Sequence, residues 1–288
     1  MSKRRKAGIP KKRSVPESLQ EYGRGVAGGL LFSLPLLYTM EVWWAGFIAH
    51  PWRLLSALAA TFVLLLGYNR YAGMRRDAGW SEVAVDSVEE LGMGLVVSAA
   101  ILFLLGRITF DMPANEVVGR VVIEALTVAI GVSVGTAQLG GGEESEEGMR
   151  GDGAGADEIH FGGQLVVGFC GAVLFAANVA PTEEIVMIAV EIGAWRLLGL
   201  ALLSLALAAL ILFYSEFRGS REFVVGRGFK GILVGTIVTY AVALLASALI
   251  LWFFARFDNA ALANCVAQTI VLGVAATLGA SAGRLLLQ

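Results

Sequence analysis

The chain has 288 residues, 57% of them hydrophobic and only 16% charged, and its 22 Lys and Arg against 24 Asp and Glu leave a formal net charge of −2. Together with a mean hydropathy of +0.71, this excludes an ordinary soluble domain and leaves an all-α polytopic membrane protein, whose first partner is the lipid bilayer. The balance of charge gives no case for a nucleic-acid partner, because membrane topology accounts for the basic residues.

A hydrocarbon core of about 30 Å needs about 20 apolar helical residues to cross it. The first element is a basic cytoplasmic tail, residues 1–22. It is too extensively basic, and the apolar segment after it too long, for a cleaved signal peptide. Four spans follow within 23–139: Gly25–Ile48, Leu54–Tyr71, Glu90–Ile108 and Glu116–Leu139. An acidic, glycine-rich linker, GGGEESEEGMRGDGAGADEIH, occupies 140–160. Its like charges and glycines favour a solvated tether, and its acidic run lacks the ligand spacing of an EF-hand. Four more spans then fill 161–288: Gly163–Ile192, Leu197–Phe217, Gly231–Phe254 and Leu262–Leu285.

Basic residues concentrate in the tail, in the second loop (Arg70, Arg75, Arg76) and in the sixth (Arg218, Arg221, Arg227, Lys230), whereas the odd-numbered loops carry about one each. The positive-inside rule therefore predicts both termini in the cytoplasm. Cys170 and Cys265 fall inside predicted spans, which argues for neither a disulfide framework nor a thiolate metal site.

The two halves read as copies. GVAGGLLFSLPLLYTMEVWWAGFIAHPWRLL from Gly25 aligns without a gap on GFCGAVLFAANVAPTEEIVMIAVEIGAWRLL from Gly168, so that Gly28 meets Gly171, Thr39 meets Thr182 and Glu41 meets Glu184. Asn115 over Asn259 aligns the fourth and eighth spans, matching Glu124 with Gln268 and Gly135 with Gly279. Four spans per copy, an even number, predicts two parallel repeats about an axis along the membrane normal. The spaced small residues Gly131 and Gly135, and Gly279 and Gly283, suit close helix packing within the chain or a homo-oligomer contact.

Within continuous helices, a rise of 1.5 Å per residue puts Glu41, Glu184 and Glu124 at one level, roughly 13 Å from the outer ends of their spans. Intramembrane acids are functional candidates by default. Thr39, Thr182, Asn178 and Gln268 fall near that layer and add neutral oxygens. Such a set suits a hard cation such as calcium, sodium or a proton, with Glu41, Glu184 and Glu124 as metal ligands and no cofactor beyond the ion. Pro181, and Pro35 in the first copy, remove helix hydrogen bonds, and broken helices are how many transporters build ion sites. Glu183, adjacent to Glu184, projects about 100° away from it, which makes Glu184 the preferred member of the pair. Arg120, one turn before Glu124, supplies the plain alternative of a local ion pair. Asp86, Glu89 and Glu90 are expected where the third span starts, as helix-capping acids or as a cation-concentrating vestibule.

The whole chain, with its PTEE run and four-helix duplication, resembles a family of multipass bacterial membrane proteins defined as a domain of unknown function, which implies no activity. Locally, ANVAPTEEIVMIA from Ala177 is similar to the repeats of cation/calcium exchangers. That resemblance implies ion-binding roles for Asn178, Thr182, Glu183, Glu184 and, through the internal match, Glu41. It departs from the exchangers in its parallel, even-numbered repeats and in the SLPLLYTMEV segment of the first copy, where no proline directly precedes the threonine. An intramembrane enzyme is disfavoured: EEIVMI lacks the arginine spacing of membrane glutamyl proteases, and both His50 and His160 fall in predicted loops. The expected function is cation transport by a channel or carrier, and the alternative is a structural or regulatory membrane protein whose buried acids fix packing.

Overall fold

The computed structural model describes residues 15–73, 79–138, 161–217 and 229–285. The acidic linker, the tail up to residue 14, and Arg75, Arg76, Arg218, Arg221 and Arg227 lie outside the described residues.

Among the described residues the chain forms ten helices: α1 Val15–Leu37, α2 Met40–Ile48, α3 Pro51–Tyr71, α4 Trp80–Leu104, α5 Ala114–Gln138, α6 Phe161–Ala177, α7 Glu183–Glu191, α8 Ala194–Phe217, α9 Phe229–Phe253 and α10 Leu262–Leu285. Six of these elements, α3, α4, α5, α8, α9 and α10, are long and apolar enough to cross a membrane, and the bent pair α1 and α2 adds a seventh if taken as one span. The shorter α6 is also apolar. The protein is thus a polytopic, all-helical membrane protein.

The first expected span does not run straight to Ile48. α1 stops at Leu37 and α2 leaves at 87° to it. Pro35 cannot donate to the preceding turn, so the chain tightens: Tyr38 N donates to Pro35 O at 3.3 Å and Thr39 N to Leu36 O at 2.9 Å. Thr39 then takes an extended conformation at the N-cap of α2, and its hydroxyl donates to Pro35 O at 2.6 Å. The expected fifth span breaks for related reasons. Val179 N and Ala180 N both donate to Ala176 O, Pro181 has no amide hydrogen to extend the ladder, and Thr182, also extended, is the N-cap of α7. Its hydroxyl donates to Val179 O at 2.9 Å.

α5 is the buried axis of the first half. It packs against α1, α2, α3 and α4, and an unbroken run of its residues from Ile123 to Thr136, Leu126 apart, is buried. α10 packs in the same way against α6, α7, α8 and α9. Small residues let these axes approach their neighbours closely. A Cβ added at Gly28 would lie 2.4 Å from Gly135 Cα, and one added at Gly171 would lie 2.2 Å from Gly279 O. The halves meet chiefly through α3 and α6, with Leu65, Tyr68, Val167 and Cys170 in one continuous apolar core. Asn178 reaches across this seam, donating to Phe32 O at 2.9 Å as well as to Leu174 O within its own segment at 2.6 Å.

Candidate functional site

Where α2 turns into α3 and α9 turns into α10, the bundle opens into a cavity of about 720 Å³. Its wall takes Met40, Glu41, Trp44, His50 and Arg53 from the first half, Glu183 from α7, and Phe253, Phe254, Arg256 and Asp258 from the end of α9 and the turn after it. The helix breaks put the two glutamates there. Glu41 is in the first turn of α2 and Glu183 in the first turn of α7, where free amides and the helix dipole favour negative charge.

Both arginines on this wall have partners, but only that of Arg53 is an anion. Arg53 pairs with Asp258 at 3.1 Å, which ties α3 to the α9–α10 turn. Arg256 donates to Pro181 O, the carbonyl at the break before α7. Neither Glu41 nor Glu183 has a hydrogen-bond or ion-pair partner among the described residues. The cavity wall therefore carries two carboxylates with no direct partner among the described residues, one from each half, and with Arg53, Arg256 and Asp258 on the same wall its formal charge is −1.

The residues expected to share one layer are distributed differently. The 13 Å depth assumed helices continuous to Ile48 and Ile192. Because α1 ends two residues before Thr39 is passed, Glu41 sits at the end of the bundle rather than deep along a span. Glu183 and Glu184 are both exposed, and of the two only Glu183 is on the cavity wall. Adjacent helical positions diverge by about 100°, and the register in which α7 restarts after Thr182 turns Glu183 towards the cavity. Thr39 and Thr182 spend their hydroxyls on backbone carbonyls.

Glu124 lies apart. It is fully buried in α5, and neither carboxylate oxygen has a hydrogen-bond partner. Arg120 does not neutralise it: the guanidinium pairs with Glu116, one turn the other way, and donates to Arg107 O at 2.5 Å. Gln268, aligned with Glu124, is likewise buried with its Oε1 unpartnered. Asn178 also keeps a buried, unpartnered Oδ1. No group of three or more His, Cys, Asp or Glu among the described residues is placed to hold a metal ion, so Glu41, Glu184 and Glu124 do not form one cluster.

A second cavity of about 210 Å³ adjoins the first, sharing Ile123, Phe253 and Phe254 with it. It lies between the halves and is almost wholly apolar, walled by Leu36, Ala57, Leu64, Phe169, Val173 and Ile250 among others.

At the opposite end of the bundle, α4 begins at Trp80, ten residues before the expected start. Asp86, Glu89 and Glu90 consequently stand in its second and third turns, and the amide at its N-terminus, Gly79 N, is taken by the Glu82 carboxylate at 3.1 Å. Glu90 is buried and accepts from Asn69 Nδ2 at 2.7 Å, while Ser133 donates to Asn69 Oδ1 at 2.9 Å. Asn69 Nδ2 also approaches Ser87 Oγ at 3.1 Å. Asn69, Glu90 and Ser133, with Glu21, Asp86 and Glu89, line a space of about 30 Å³, enough to hold a water molecule. Sequence reasoning missed Asn69, Ser87 and Ser133. The available signal was a polar residue recurring on the core-facing stripe of three neighbouring helices.

No curated protein and no solved structure shows a significant match to the chain. The model of one family does, across residues 21–287. That match takes in every helix from the middle of α1 to the end of α10, so the chain belongs to the DUF2391 family of integral membrane proteins.

Proposed function

We propose that this protein binds a small cation and moves it across a bacterial inner membrane, with Glu41 and Glu183 as the acids of the site. The observation that supports the reading is that these two carboxylates, one from each half, line a single cavity and have no direct hydrogen-bond or ion-pair partner among the described residues. With Arg53, Arg256 and Asp258 the wall keeps a formal charge of −1, which favours a cationic guest. The proposal is for a transporter or channel rather than an enzyme.

The topology that goes with it has eight spans in two parallel copies of four. Three correspondences support the duplication. Helix neighbours in α1–α5 recur in α6–α10, pair for pair. A close crossing in each half joins aligned glycines, Gly28 with Gly135 and Gly171 with Gly279. α4 and α9 also end alike: Arg107 N donates to Leu102 O at 2.7 Å and Arg256 N to Leu251 O at 2.9 Å, across left-handed residues Gly106 and Ala255. In this topology α1 and α6 are spans, while α2 and α7 lie near the outer surface. With Arg70 at the opposite end of the bundle, the positive-inside rule favours a cytoplasmic face there, and this reading has both termini on that side.

The test is flux. Protein reconstituted in liposomes is expected to pass at least one of sodium, potassium, calcium or protons, or a small organic cation, and Glu41→Gln and Glu183→Gln are each expected to cut that flux about tenfold or more. Absence of flux for every one of these ions, or unchanged flux in both variants, refutes the proposal.

A further inference from the structure

Across Ile123, Phe253 and Phe254 the outer cavity meets the apolar chamber between the halves. What can occupy both compartments at once is set by their chemistry, and the adjoining chamber rather than the acids alone makes the argument.

The outer compartment favours positive charge. Glu41 and Glu183 have no direct partner, the Arg53 charge is answered by Asp258, and Arg256, held on the neutral Pro181 O, offsets one of the two acids, which leaves the wall with a formal charge of −1. Trp44, Phe253 and Phe254 put aromatic rings on the same wall, and ring faces attract quaternary and primary ammonium groups. A bare metal ion is less well served, since no group of three or more His, Cys, Asp or Glu among the described residues is placed to hold one.

The inner compartment favours hydrocarbon. Its polar side chains are Ser56, Thr61 and Thr127. Ser56 donates to Arg53 O at 2.8 Å and Thr127 to Glu124 O at 3.2 Å, so both hydroxyl protons are already used on backbone. At about 210 Å³ the chamber has room for a phenyl ring, and its wall is open at Leu249 and Trp252, 46% and 51% exposed. A hydrated inorganic ion entering it would shed water for no replacement ligand, whereas a phenyl ring or short alkyl chain would gain by leaving water.

We infer that the two compartments form one site for an amphipathic organic cation, its ammonium group between Glu41 and Glu183 and its apolar group past Phe253 and Phe254 in the chamber. This assignment rests on the cation reading above and specifies its substrate class.

The experiment compares four soluble probes on the full chain in lipid nanodiscs: tetramethylammonium, benzyltrimethylammonium, benzyl alcohol and benzenesulfonate. Benzyltrimethylammonium is expected to bind about tenfold or more tighter than tetramethylammonium, the increment for burying an aromatic ring. The neutral and anionic probes are expected to bind at least about tenfold more weakly than benzyltrimethylammonium. Glu41→Gln with Glu183→Gln should weaken both cations, and Ala57→Phe, which fills the chamber, should bring benzyltrimethylammonium down to the tetramethylammonium value. Ala60→Leu, a milder filling, is the second variant should Ala57→Phe fail to fold, and is expected to narrow the preference about threefold. Equal affinity for the two cations, or a preference that survives both filling variants, overturns the organic-cation assignment while leaving cation binding standing. Benzyl alcohol or benzenesulfonate binding as tightly as benzyltrimethylammonium overturns the charge selection. No binding of either cation, with no inorganic flux, removes the underlying cation reading as well.

Discussion

The sharpest structural test is a single methyl group at the crossing of α6 and α10. In Gly171→Ala the new Cβ would stand 2.2 Å from Gly279 O and 3.2 Å from Gly283 Cα. Both obstacles are backbone and cannot rotate aside. Carbon atoms pack at about 3.5–4.0 Å, so the helices must part by roughly 1 Å, opening gaps along the rest of the contact. Overpacking of this kind costs about 1–3 kcal/mol. Gly28→Ala faces the same geometry at the other axis, 2.4 Å from Gly135 Cα and 2.6 Å from Gly131 O, and should lose a similar amount. Gly92→Ala in α4 and Gly199→Ala in α8 are the controls, because a Cβ at either meets nothing within 4 Å. Those two should be neutral or more stable, since alanine is favoured over glycine in a helix by about 0.5–1 kcal/mol. The assay is thermal unfolding in detergent, followed by the loss of the monodisperse peak on size-exclusion chromatography. Gly171→Ala and Gly28→Ala melting at or above the wild-type temperature would refute the close-crossing argument, and with it one support for the duplication.

Glu124→Gln is expected to leave stability within about 1 kcal/mol of wild type, because it removes a fully buried ionisable group with no hydrogen-bond partner among the described residues but installs an amide that is equally unpartnered; a melting temperature lowered by more than that would reveal a partner for the carboxylate. Asn69→Leu should cost about 2–4 kcal/mol, since it strands Glu90 and Ser133 in a buried site, and the same thermal assay reads it. Asp258→Asn should change stability by under about 1 kcal/mol, because the Arg53 pair is half-exposed, at 29% and 51% for its two side chains, and solvent screens it. Arg256→Met should cost about 1.5–3 kcal/mol through the lost charge-assisted hydrogen bond to Pro181 O, and a circular dichroism melt that matches wild type would exclude that contact as a brace for the α6–α7 break.

The parts of the fold that were legible in the sequence are those governed by length and hydropathy. The fourth span, expected at Glu116–Leu139, is α5 at Ala114–Gln138, and the eighth is α10 with both expected ends, Leu262 and Leu285. The helix breaks were half legible. Pro35 and Pro181 were recognisable as interruptions, but a proline states only that a hydrogen bond is missing. Whether the helix kinks or turns aside depends on what satisfies the freed carbonyls, and here Thr39 and Thr182 do so from extended N-cap positions. That choice moved Glu41 from a deep position to the mouth of a cavity, and it set which of Glu183 and Glu184 faces inward. Ion partners were legible least, because Arg120 has acids one turn away on both sides, at Glu116 and Glu124, and helical spacing alone does not separate them.

Under the proposed duplication, what the halves share and what they do not divides along a physical line. Shared features are those that hold backbones in place: the glycine crossings, the threonine N-caps, the left-handed ends of α4 and α9. A change at any of them moves a whole helix, so both copies must keep them for either to pack. The differences fall on side chains that need only a local accommodation. Asn69 in α3 aligns with Leu212 in α8 and Glu124 with Gln268, so the hydrogen-bonded core of the first half has no full counterpart in the second. Two scaffolds that agree in backbone and disagree in charge cannot present a symmetric interior to a guest. The site at the end of the bundle is correspondingly asymmetric: its acids come from successive first-turn positions, the second residue of α2 and the first of α7, and its one inter-half ion pair, Arg53 with Asp258, is single. A guest held there would be bound in one orientation, as an elongated cation with distinct ends requires and a spherical ion does not.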